Sequence, residues 1–215
     1  VNNDNVSHSL WAFDSNATVQ INRITPVNFP NINPAAAYDY IIVSHPILEP
    51  AAENYKTYRS LKFNTLKVYT EQLYDYYFYG NNHPLAIRKL MQHLVQNQVV
   101  PPQYLLLAGR GYQNDKARFY SISSQTPLEN YRRNLIPGYG VPGADALYSS
   151  AINGDGFYAE VPTGRIPATN NQELQNYLEK VIAHEMSPDS IAAWRKNVLH
   201  VSGGAKESEQ VEFRT

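Results

Sequence analysis

The chain has 215 residues, with 18 Lys plus Arg against 19 Asp plus Glu, and its length and 43% hydrophobic content suit one large α/β domain with a packed core rather than disorder. A net charge of −1 offers no basic face to nucleic acid or to an anionic membrane, and the longest apolar runs are strand-sized, so neither a nucleic-acid partner nor a transmembrane segment is expected. Cysteine is absent, which excludes disulfides, thiolate metal sites and a thiol nucleophile within these residues.

The chain opens Val1-Asn2-Asn3-Asp4 with neither initiator Met nor signal peptide, so both ends are expected to be cuts from a longer protein. Leu10 to Phe13 and Ala17 to Ile24 read as two short strands around an Asp-Ser-Asn turn, and Pro26, Pro30 and Pro34 make a connector. Tyr38 to Ser44 is a β-branched run between prolines, as a buried parallel strand requires. A helix is predicted from about Ile47 to Leu61, a strand from Leu66 to Thr70, and a short helix from Glu71 to Phe78 that stops at Gly80. Pro84 opens a helix whose Ile87, Leu90, Met91, Leu94 and Val95 form one apolar stripe. Tyr104 to Ala108 is the third core strand.

Residues from Arg110 to about Pro142 lack periodicity and form a long irregular stretch, of the kind that is usually functional. Asp145 to Ser150 reads as a short strand, and Asn153-Gly154-Asp155-Gly156 as a turn. Tyr158 to Ile166 returns as a strand with Pro162 at an edge or bulge. Asn170 to Glu185 is a helix with capping-box spacing between Asn170 and Glu173, and Leu174, Leu178, Val181 and Ile182 as its buried face. Val198 to Ser202 is a last strand. The alternation implies a mainly parallel sheet flanked by helices, with a small N-terminal β extension. The expected divisions are 1–34 for the extension and linker, 35–188 for the α/β unit, and 189–215 for the start of a second unit.

Few residues signal chemistry. Gly109-Arg110-Gly111 follows a strand, but it lacks a third glycine and a helix start, so it reads as a tight turn rather than a phosphate loop. His184-Glu185 has Pro188 where a zinc helix needs its second histidine. His83 and His93 suit capping or helix-surface roles. Ser44 and His45 are adjacent on an extended chain and point to opposite faces, so they do not make a nucleophile and base. Asp145 follows the long loop and could contact a cationic ligand group or cap a turn, and the residues alone favour the cap. Asp155 between glycines offers one calcium ligand, far fewer than calcium takes, so a hairpin turn is the plainer role. Tyr74, Tyr76, Tyr77 and Tyr79 are expected to pack one face with wet hydroxyls.

In order along the chain, Tyr38-Asp39-Tyr40-Ile41-Ile42-Val43-Ser44-His45-Pro46, Leu66-Lys67-Val68, Pro84-Leu85-Ala86-Ile87-Arg88, Tyr104-Leu105-Leu106-Leu107-Ala108-Gly109, Val161-Pro162-Thr163-Gly164-Arg165-Ile166-Pro167 and Trp194-Arg195-Lys196-Asn197-Val198 resemble the motifs of gingipain-family cysteine peptidases. Within that family the likeness is greatest to the sortase-like peptidases of Bacteroidetes type IX secretion. The resemblance implies a caspase-like fold whose first subdomain is seen here. It implies a second subdomain with a His-Gly and a Cys, where the thiolate attacks a peptide carbonyl and backbone N–H groups hold the oxyanion. No His here precedes a Gly and no Cys exists, so the fragment is expected to be inactive scaffold of an exported endopeptidase, extracellular or associated with the outer membrane, with a protein or peptide substrate. The alternative is a pseudo-peptidase interaction module in secretion or at the cell surface. No cofactor is expected, calcium aside. Asp145 corresponds to an acidic residue that faces the basic side chain of the cleaved residue in gingipains. Arg110 departs from the family, which usually carries an acidic residue there.

Overall fold

Five consecutive buried residues, Tyr40–Ser44, form β1, the strand that the β-branched run predicts. The structure is a computed structural model and describes residues 26–27, 29–112, 134–154, 156, 158–187, 197–199 and 206. The expected N-terminal β extension therefore lies outside the described residues, as do Asp155 and the middle of the long irregular stretch. Of the expected last strand only Val198 and Leu199 are described, both exposed and in neither helix nor strand.

A 3₁₀ turn, Pro46–Leu48, follows β1 and leads into α1, Glu49–Arg59. β2 (Thr65–Tyr69) feeds directly into α2 (Thr70–Phe78), where Gln72 accepts the Tyr69 N–H at 2.9 Å. Tyr79 and Gly80 then both take left-handed backbone angles and end the helix. α3 spans Leu85–Asn97, and all five residues of its predicted stripe are buried. β3 (Tyr104–Ala108), β4 (Thr163–Ile166) and α4 (Asn171–Met186) complete the set.

The four strands are parallel, in the order β2-β1-β3-β4. The register puts Ile41, Val43, Leu66, Val68, Leu105 and Leu107 on one face, and Tyr40, Ile42, Lys67, Leu106 and Gly164 on the other. α1 covers the second face, where Glu49 and Glu53 hold the Lys67 ammonium at 3.0 and 2.5 Å, and α4 packs against α1. α2 and α3 lie on the opposite face. Each buried Leu or Ile contributes roughly 1.5–3 kcal/mol of burial, so the central strands and α3 hold the unit together.

Two sequence expectations are corrected. Asp145 to Ser150 is not a strand: Asp145–Tyr148 is a 3₁₀ turn, and only Ser150 makes an isolated bridge to Ala159. The backbone bonds of this turn are local, with the Leu147 and Ser149 N–H groups donating to the Ala144 and Ala146 carbonyls at 3.2 and 3.1 Å, which a strand paired to a neighbour does not make. The strand predicted from Tyr158 shrinks to Thr163–Ile166, an edge strand among the described residues, as Pro162 suggested. The Asn153-Gly154 turn is held by Glu160, which accepts the Ile152 and Asn153 N–H groups at 2.6 and 2.8 Å.

Candidate functional site at the carboxyl edge of the sheet

Ligands of open parallel sheets bind beyond the carboxyl ends of the strands, because loops from neighbouring strands converge there. At that edge the segment after β3 meets Leu135 to Gly138 and the 3₁₀ turn Asp145–Tyr148. The Leu135 and Ile136 N–H groups both donate to the Arg110 carbonyl, at 2.9 and 3.0 Å. Together these segments enclose a cleft of about 270 Å³, lined by Gly111, Tyr112, Gly138, Gly143, Asp145 and Arg165.

Arg165 organises the cleft. Its Nε and Nη2 donate to the two Asp145 oxygens at 2.8 and 2.7 Å, and Nη1 donates to the Gly109 and Ile136 carbonyls, both at 2.9 Å. The side chains are 16% and 30% exposed, so this is a largely buried bidentate pair. Beneath it, the buried Tyr148 hydroxyl donates to the Pro137 carbonyl, and burial pushes its pKa well above the usual phenol value.

The tight turn expected at Gly109-Arg110-Gly111 is not formed: the Gly109 and Arg110 N–H groups donate to the Ile166 and Ala168 carbonyls, both at 2.9 Å, so the segment continues beside the end of β4, and the structure supplies the reason for its second glycine. A Cβ on Gly111 would overlap the Ile136 carbonyl oxygen and sit 2.8 Å from Arg165 Nη1. The glycine makes room for the arginine anchor. Gly109 itself has φ +157° and packs against Ile136. The exposed Arg110 guanidinium lies 5.2 Å from the Tyr112 ring centroid.

Most other sequence candidates have structural partners. Ser44 Oγ donates to the Ala108 carbonyl at 3.1 Å and so ties β1 to β3. His45 is buried; its Nδ1 accepts the Ile47 N–H at 3.2 Å and its Nε2 lies 3.8 Å from Glu71. Burial lowers its pKa, against a smaller opposing pull from Glu71. His83 Nδ1 accepts the Leu85 N–H at the start of α3. Glu185 pairs with Arg59 at 2.8 Å and accepts from the Tyr58 hydroxyl at 2.7 Å, while His184 is exposed at the end of α4. Tyr76 and Tyr79 are exposed, but the Tyr77 hydroxyl is buried without a hydrogen-bond partner among the described residues, contrary to the wet-hydroxyl expectation.

For calcium, Asp155 lies outside the described residues, and Glu160 on the same turn already serves Ile152 and Asn153. Among the described residues no three His, Asp or Glu side chains are grouped to hold a metal ion. No described helix is long and apolar enough to cross a membrane. A larger hollow of about 770 Å³ lies on the other face of the sheet, lined by Tyr40, Arg59, Leu106, Gly164, Tyr177 and Val181 among others. It lies on a face of the sheet and not beyond the carboxyl ends of the strands, so the carboxyl edge is the better candidate.

Sequence reasoning singled out Asp145 and missed Arg165 as its partner. The pair is 20 residues apart, and only the crossing of β4 beneath the 3₁₀ turn joins them. The sole signal was Arg165 within the Gly-Arg-Ile-Pro run.

The fold is similar to that of dimeric latent PorU from Porphyromonas gingivalis, with a TM-score of 0.61 and 20% identity; the match covers 81% of this chain and 18% of that one. The chain therefore spans under a fifth of PorU, and the likeness is one of fold. A second solved structure, that of a protease, matches with a TM-score of 0.45 and 18% identity over 72% of this chain and 29% of its own. None of the curated proteins matches the sequence. The sequence pattern of peptidase family C25 runs over residues 33–214, most of the chain, and the chain belongs to that family.

Proposed function

We propose that this chain is the N-terminal scaffold of an exported cysteine endopeptidase that processes other exported proteins, and that alone it cleaves nothing. The family match over residues 33–214 carries the reading. The absence of cysteine supports the inactivity, since the thiolate that the gingipain resemblance implies has no source here. In this reading residues 35–188 are the first subdomain, 189–215 open the catalytic one, and the cleft beside Asp145 is one wall of the substrate site.

The test is to express the chain alone and extended through the parent reading frame, then to assay both on a mixed fluorogenic peptide library. The isolated chain is expected to be silent. The extended protein is expected to cleave and to be silenced by iodoacetamide. Asp145-dependent hydrolysis by the isolated chain would refute the scaffold role. A parent that lacks a His-Gly and a Cys would instead make this an interaction platform.

A further inference from the structure

Asp145 stands at the mouth of the cleft, yet both its oxygens already face a cation. Arg165 holds them through Nε and Nη2 at 2.8 and 2.7 Å. The same guanidinium is pinned from behind by the Gly109 and Ile136 carbonyls, both at 2.9 Å. Its place is made by Gly111, where no Cβ would fit. Arg165 is thus built into the segment after β3 and does not swing on a surface.

A lysine or arginine side chain entering the cleft has two routes. It can displace Arg165 from Asp145, which leaves a mostly buried guanidinium without its counter-ion and is strongly unfavourable. Or it can share the carboxylate, which sets two cations against one anion in a partly desolvated site. The other lining residues, Gly111, Tyr112, Gly138 and Gly143, carry no charge that would compensate either route. Among the described lining residues the Asp145–Arg165 pair leaves no net charge.

We infer that Arg165 is a specificity-determining residue: it is the internal counter-ion of Asp145, so the cleft takes an uncharged side chain of the substrate peptide and refuses lysine and arginine. This rests on the cleft being a wall of a peptidase substrate site. It departs from the expectation that Asp145 faces a basic side chain.

Ethylguanidinium, which carries the head of an arginine side chain, is the probe. It is titrated into the ¹⁵N-labelled 215-residue chain as wild type, Asp145→Asn, Arg165→Met and the double variant. The amides of Gly111 and Gly143 report binding. Wild type and Asp145→Asn are expected to show the same weak, non-saturating shifts. Arg165→Met is expected to bind at least about tenfold more tightly than wild type, with saturation, because the probe fills the vacated place. The double variant is expected to lose that gain. Saturable wild-type binding that Asp145→Asn abolishes overturns the inference, and so does a folded Arg165→Met that gains nothing. Should Arg165→Met fail to fold, the comparison of wild type with Asp145→Asn decides alone. No bond is cleaved in this assay, so its result is separate from the peptidase reading. A parent without activity sinks that reading alone, while Asp145-dependent cleavage after Arg or Lys by an active parent sinks this inference alone.

Discussion

Replacing Arg88 with alanine should loosen the 3₁₀ turn that carries Asp145. Arg88 leaves α3 and donates from Nη1 to the Leu147 and Ser150 carbonyls at 2.6 and 2.7 Å, and from Nη2 to Ala151 at 3.3 Å. The Leu147 carbonyl belongs to the 3₁₀ turn that begins at Asp145 and the other two follow it, and carbonyls at the end of a helical turn need such partners. Ala151 also sits at φ +48°, a left-handed angle that an alanine holds only when its surroundings insist. The two short bonds come from a charged donor, so each is worth about 1.5 kcal/mol, and the long third adds little. Water reaches the site and replaces part of this, which leaves an expected loss of about 2–3 kcal/mol. For a chain of this size that lowers Tm by roughly 5–10 °C. Urea melts followed by tyrosine and tryptophan fluorescence measure it, with the slope expected to stay unchanged. Arg88→Lys should recover less than half, because a single ammonium does not span the same carbonyls. An Arg88→Ala chain within about 0.5 kcal/mol of wild type would behave as an ordinary surface substitution and refute the reasoning.

Two further outcomes follow from the same region. Gly111→Ala must move either the Ile136 backbone or Arg165, and a loss of about 2 kcal/mol is expected from urea melts; an unchanged midpoint contradicts the close packing. His45 has a lowered pKa in the folded state, so the unfolded chain takes up its proton first as pH falls. Its contribution is therefore present at neutral pH and lost as pH drops through the ordinary histidine value of roughly 6.5, levelling off below the folded-state pKa. Tm measured from pH 8 to pH 5.5 should fall more for wild type than for His45→Asn, which keeps an acceptor near the Ile47 N–H. Parallel curves would show that His45 does not titrate against stability.

Local patterning made much of the fold legible. β1 and β3 are apolar runs bounded by Pro or Gly, and α3 has one continuous stripe, so their type follows from period alone. Asn170 caps α4 as its spacing implies, accepting the Glu173 N–H at 3.0 Å. The return half of the box shifts by one residue: the Glu173 carboxylate accepts the Thr169 N–H at 2.7 Å. That choice depends on where the chain enters from β4, which spacing does not encode. Tyr77 likewise has a surface-like neighbourhood in sequence, yet its hydroxyl is buried.

By itself, the sequence determined a parallel α/β unit, because hydrophobic period and turn chemistry are local properties of the chain, while the likeness to gingipains rested on the order of its motifs. It also determined that no thiolate chemistry arises within these residues, since that needs an atom the composition lacks. Tertiary structure alone decided the character of the cleft. Asp145 was legible as an acid at a loop end, but its charge is answered by Arg165 from an edge strand, whose place depends on Gly111 after β3, and its turn is tied down by Arg88 from the helix behind. The physical reason is that an ion pair is set by distance in space, and strands brought side by side by a crossover place residues in contact that no local pattern links.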